Sequence, residues 1–109
     1  MKIVGLALAA MLVLAACSGS GEESAPRTGR EIYVASCQTC HGRQGEGFVG
    51  PDLVDIATRH PDVADQVAIV TNGKGQMPAF GARLTAEQIA TVVDFTRRAF
   101  STAPFVGPT

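Results

Sequence analysis

At 109 residues with a net charge of −1, the chain holds one domain at most and has no basic block to suit nucleic acid. Apolar residues make up 46% of it, aromatics only 6%, and Trp is absent. Much of the apolar content lies in the first sixteen residues, so the remainder is poor in material for a core.

Residues 1–16, MKIVGLALAAMLVLAA, place one cation, Lys2, before an unbroken apolar or small run from Ile3 to Ala16. A bilayer crossing takes about 20 residues, so the run reads as a secretory signal peptide. Leu14-Ala15-Ala16-Cys17 resembles the bacterial lipobox, whose Cys receives a diacylglyceryl group while cleavage frees its amine. On that resemblance Cys17 becomes a lipidated N-terminus, held by two or three acyl chains where one alone would not hold. Residues 17–28 then form the lipidated Cys and a tether: SGSGEESAPRT carries no large apolar residue and spans about 18 Å on average as a flexible coil.

The globular part is residues 29–101. A domain this small usually needs a disulfide, a metal or a cofactor. Thr28 with Glu31 makes a capping box, opening a helix through EIYVAS toward Cys37. Cys37, Cys40 and His41 follow, and HGRQGEGFVGPD, with four glycines and a proline, is a loop. Pro51 suits a helix start, so DLVDIAT reads as a short helix that ends before His60-Pro61. Asp62 opens VADQVAIVT, with Val63, Val67 and Val70 on one face, and Asn72-Gly73 stops it. KGQMPAFGAR has no helical period and is a loop. Thr85 with Gln88 makes a second capping box. The helix it opens, AEQIATVVDFTRRAF, sets Ile89, Val92, Val93 and Phe100 along one stripe. Glu87 in its first turn and Arg97 and Arg98 near its end suit the helix dipole. Residues 102–109 read as a loose tail with Phe105 as a contact. No segment alternates as a strand does, so the domain is all-α with long loops.

The paired thiols admit several uses. A structural zinc needs four ligands. The soft candidates in the mature chain are Cys37, Cys40, His41 and His60, but His60 stands alone beside a proline with no second knuckle. Disulfide exchange expects a βαβ frame, which is absent. A structural disulfide suits an exported protein yet leaves the adjacent His and the small core unexplained. Cys-x-x-Cys-His is the attachment signature of c-type haem, and it meets every constraint. The two sulfurs bond neighbouring pyrroles, so they must lie on one side of the chain, as positions 37 and 40 do on a helical turn. His41 then presents its imidazole to the iron. For the opposite face, Met1 and Met11 leave with the signal, and Met77 remains, in a loop poorly placed for core filling. Its thioether is a soft neutral donor that favours reduced iron. The competitor is His60, which as a lone loop residue next to proline reads as solvated surface.

Residues 29–100 resemble a class I cytochrome c of the short bacterial kind. Gly29, Tyr33 and Cys37 match the family's Gly-aromatic-Cys spacing, whose small and aromatic residues pack on the last helix, where Val92 and Phe95 stand. Gly50-Pro51-Asp52-Leu53 resembles its GPxL stretch, in which the proline carbonyl holds the ligating His and the leucine packs on the ring. Asn72 to Phe80, NGKGQMPAF, resembles the loop that carries the axial Met. The resemblance implies the cytochrome c fold, three to four helices wrapped around one covalent haem c. It implies haem-bonding Cys37 and Cys40, axial His41 and Met77, and pocket residues Pro51 and Leu53. It implies an electron carrier and not an enzyme, with no catalytic residues. The chain departs from the lysine-ringed mitochondrial branch: only Lys74 remains, with Arg43 and Arg83 nearby, and loss of Lys2 takes the charge from −1 to −2. Steering toward an acidic partner is therefore modest. The expected setting is the cell envelope, exported and lipid-anchored to a membrane facing the periplasm. The expected partners are membrane-associated redox proteins: a dehydrogenase, an oxidase or another cytochrome. The alternative function is a haem-based sensor or peroxidase-like enzyme with a labile Met ligand.

Overall fold

Both capping boxes form. In a computed structural model, which describes residues 28–102, Thr28 Oγ1 accepts from Glu31 N at 3.1 Å while Thr28 N donates to Glu31 Oε2 at 3.0 Å. Thr85 and Gln88 repeat the exchange at 3.1 and 2.9 Å. The helices are α1 (Gly29–Ser36), α2 (Gln38–His41), α3 (Ile56–Arg59), α4 (Val63–Asn72) and α5 (Ala86–Ala99). α2 and α3 are single turns, so among the described residues the three to four helices expected are three longer ones and two short ones. Among the described residues there is no strand, only an isolated bridge between Lys74 and Met77. The signal peptide, Cys17, Phe105 and all but Thr28 of the tether lie outside the described residues.

α1 packs on α5, and the contact is close because Gly29 has no side chain. A Cβ there would lie 2.5 Å from Phe95 Cβ and 2.8 Å from Thr91 O. One turn on, Tyr33 is fully buried, its ring centroid 5.7 Å from that of Phe95 and 5.0 Å from that of Phe100. Its hydroxyl donates to Gly42 O at 2.6 Å, which ties α1 to the end of α2. Ile32, Tyr33 and Val92 form one core cluster, and Val70, Phe80, Ile89 and Val93 form a second. These and Ile56 are all the buried apolar side chains among the described residues, a thin core for a domain of this size.

Three expectations need correction. The helix expected to start at Pro51 starts at Ile56. Leu53 N donates to Gly45 O at 2.7 Å, which holds it in the loop, and Asp55 adopts φ 52°, outside the helical region. On α4, Val63 is 48% exposed and Gln66 is buried in the stripe instead. The tail is not loose at its start: Asp55 accepts from Thr102 N at 2.7 Å and from Thr102 Oγ1 at 2.6 Å.

Candidate haem site

Val70, Phe80 and Val93 of one cluster and Val92 of the other front a mainly apolar cavity of about 500 Å³. Cys37, Cys40 and His41 line it from the α1–α2 side, and Gly50, Pro51, Leu53 and Ile56 from the following loop and α3. Ile69, Val70, Met77 and Phe80 line it from α4 and its loop, and Val92 and Val93 from α5.

α2 is the motif folded as one turn: His41 N and Cys40 N both donate to Cys37 O, at 3.0 and 3.2 Å. Gly42, at φ 88°, ends the turn, and a side chain there would collide with Glu46. The loop then wraps back on the turn. Gly47 N donates to His41 O at 2.7 Å and Gly50 N to Cys40 O at 2.8 Å. At Gly50 a Cβ would press to 3.0 Å from the His41 ring. His41, only 8% exposed, has its Nδ1 2.8 Å from Pro51 O. A carbonyl only accepts, so Nδ1 carries a proton in this bond, and Nε2 is the ring nitrogen left to meet a ligand. Burial, then the neighbouring Cys40, pushes the Cys37 thiol up to about 11. A thiol held protonated at neutral pH is unlike the activated cysteine of a disulfide oxidoreductase.

Met77 is half-buried in the loop after α4, where Met77 N donates to Lys74 O at 2.9 Å and Lys74 N to Met77 O at 3.1 Å. Gly73, at φ 77°, makes the turn, and a Cβ there would sit 2.6 Å from Met77 O. Phe80 N and Gly81 N, each donating at 3.0 Å to Val70 O and Thr71 O, stitch the loop back onto α4. The Met77 side chain packs against the Val70 cluster and faces the cavity, so it serves core and site together.

The structure thus brings Cys37, Cys40, His41, Met77, Pro51 and Leu53 to one cavity. It brings His60 there as well, half-buried and not solvated as the sequence suggested. Gln66 and Thr96 are wall residues that the sequence reading missed. The signal for them was a polar residue inside each helix's apolar stripe. Among the described residues no three His, Cys, Asp or Glu side chains cluster to hold a metal ion directly. The residues present fit a porphyrin better: paired thiols, an imidazole, a thioether and a mainly apolar lining.

Known proteins agree. Residues 24–95 match the family model described as cytochrome c oxidase, cbb3-type, subunit III. The chain is 32% identical over 89 residues to cytochrome c-551 of Bacillus subtilis, covering 72% of this chain and 79% of that one. It is 40% identical over 74 residues to the cbb3-type cytochrome c oxidase subunit FixP of Azorhizobium caulinodans, where it covers 63% of this chain but only 25% of FixP. The structure of cytochrome c6C from Synechococcus sp. PCC 7002 superposes with TM-score 0.59 at 28% identity, over 66% of this chain and 93% of that one. The chain belongs to the cbb3-type subunit III family of class I c-type cytochromes. It is an all-α cytochrome c domain that carries covalent haem c, and its kind is an electron carrier.

Proposed function

We propose that Cys37 and Cys40 bond the haem, that His41 Nε2 and Met77 Sδ fill its two axial positions, and that the protein is a lipid-tethered carrier in an exported respiratory or dehydrogenase-linked chain. The bond from His41 Nδ1 to Pro51 O carries this reading: it fixes the tautomer and orients the ring of a buried imidazole on the cavity wall. Bound haem supplies a one-electron iron couple. His41 and Met77 close both axial sites to outside ligands. Leu53, Val92 and Val93 give the cavity apolar walls, and Pro51 sharpens His41 as a donor through the Nδ1 proton.

The test is spectroscopic. The oxidised protein should show a near-infrared sulfur-to-iron band that Met77→Ala abolishes. A wild type without the band overturns the ligand set. The rival is a sensor or peroxidase-like enzyme with a labile Met77. Rapid CO binding by the reduced wild type would favour it.

The anchor rests on the lipobox resemblance at Cys17. Cells fed a labelled fatty acid should incorporate the label into the wild type and not into Cys17→Ser, and a mature wild type without acyl groups on residue 17 would refute the anchor. A tether of this length favours membrane-associated redox partners. FixP, by its name an oxidase subunit, supports an oxidase among them.

A further inference from the structure

Two polar side chains on the cavity wall, Gln66 of α4 and Thr96 of α5, join one network with Arg97 behind them, and the backbone carbonyl of His60 ties into it. Gln66 Nε2 donates to Thr96 Oγ1 at 2.9 Å, and the Thr96 hydroxyl donates in turn to Val93 O at 2.7 Å. Gln66 Oε1 accepts from Arg97 Nη1 at 3.1 Å. Arg97 also donates to His60 O at 2.7 Å and to Pro61 O at 3.1 Å. Gln66, Thr96 and His60 line the cavity, with Arg97 directly behind Gln66.

Each buried side-chain nitrogen and oxygen of the network has a partner, yet donor capacity is left over. A carboxamide has two N–H donors, and Thr96 takes only one. The second belongs to a side chain 8% exposed on the cavity wall. The His60 ring has no hydrogen-bond partner among the described residues. Arg97 is half-buried, and its acceptors are all neutral. The ion pairs among the described residues are Arg59 with Asp52 and Arg98 with Asp94, so no carboxylate balances Arg97. Burying a cation beside spare donors is unfavourable unless an anion completes the set.

We infer that this cluster seats one of the two propionate carboxylates of the haem. Gln66 and His60 donate to it, and Arg97 supplies the counter-charge through Gln66. The inference rests on the haem reading proposed above. A carboxylate near the iron favours the ferric state, and Arg97 offsets that preference, which makes it a positioning and tuning residue. Lys74 and Arg83 also line the cavity and are the competing cations.

The experiment uses holoprotein whose haem carries ¹³C in its propionate carboxyls, read by redox-difference infrared spectroscopy and by potentiometry. Arg97→Gln and Gln66→Leu should each shift a labelled carboxylate band. Arg97→Gln should also lower the midpoint potential, and Arg97→Lys should recover most of the loss. Labelled bands identical to wild type in both variants overturn the proposal, even if the potential moves, because a merely structural role would do that. Bands that respond only to Lys74→Gln or Arg83→Gln also overturn it. Should Arg97→Gln fail to accumulate, Gln66→Leu and Arg97→Lys give the same discrimination. Failure of the axial-ligand reading appears separately, as a missing sulfur band in the wild type, and leaves the carboxylate readout intact.

Discussion

Gly29→Ala tests the joint that sets α1, and with it Cys37, against α5. Two effects oppose each other. Alanine is the better helix former by about 1 kcal/mol in a helix interior, and by less at the first helical position, where Gly29 stands. Against this, the new methyl would meet Phe95 Cβ at 2.5 Å and Thr91 O at 2.8 Å. Neither atom belongs to a flexible chain end. One is a side chain's first carbon and the other is backbone, so no rotamer change relieves the contact and the helices must part. Overpacking of this kind costs about 1–3 kcal/mol, and the Tyr33–Phe95 ring contact at 5.7 Å loosens with it. The net expectation is a loss of about 1–2 kcal/mol. Guanidinium unfolding of the haem-loaded protein, followed by far-UV circular dichroism, measures it. A midpoint equal to or above wild type, at unchanged slope, would refute the close approach.

Burial, with Cys37 and Glu46 nearby, raises the Tyr33 phenol to about 12 from an ordinary 10. The folded state therefore holds this proton more tightly than the unfolded one. Its contribution is complete below about pH 10 and is lost as pH rises toward 12. Stability should fall across that window in wild type and fall less in Tyr33→Phe, and parallel curves would contradict this. Asp55 has the opposite sign: the Thr102 hydroxyl, then the Thr102 N–H, holds its carboxyl below the usual range. That stabilisation is present above about pH 4 and disappears as the pH falls further. Asp55→Asn keeps a residue that tolerates φ 52°, so it should unfold earlier than wild type at pH 7, with the gap closing in acid. An equal gap at both pH values would show that the carboxylate's charge is irrelevant.

What was legible in the sequence was local or chemically singular. Thr28 with Glu31 and Thr85 with Gln88 sit three residues apart, and each box closes within its own turn. Cys37, Cys40 and His41 announce their use because few other chemistries need that spacing. The helix start at Ile56 was not legible, because Leu53 is held by Gly45, and no local rule foresees a bond across the loop. The valines of α4 gave the correct period but not its phase. Gln66 displaces Val63 from the stripe because Thr96 and Arg97, thirty residues on, offer it hydrogen bonds that a valine cannot make. His60 looked like a surface residue for the same reason: only the approach of α5, through Arg97 to its carbonyl, draws it to the cavity.

The position of the cavity has a consequence for folding. It lies against both core clusters, and both are thin. Cavities in protein interiors cost about 24 cal/mol per Å³ where the walls do not relax. For about 500 Å³ that is on the order of 12 kcal/mol, an upper bound, since this cavity is partly open and its loops can collapse. Whole domains are stable by only about 5–15 kcal/mol. With a cost of up to that size against so small a margin, these walls are expected to need the haem beside them, and haem attachment to α2 should be a folding step as well as the source of function. Chain produced where haem cannot be attached should have weak helical dichroism and no cooperative denaturant transition. α5, the longest helix among the described residues and capped at its start, should be the last to lose helix. A sharp transition in such material, near the midpoint of the haem-loaded protein, would mean that the two clusters hold each other without a porphyrin beside them.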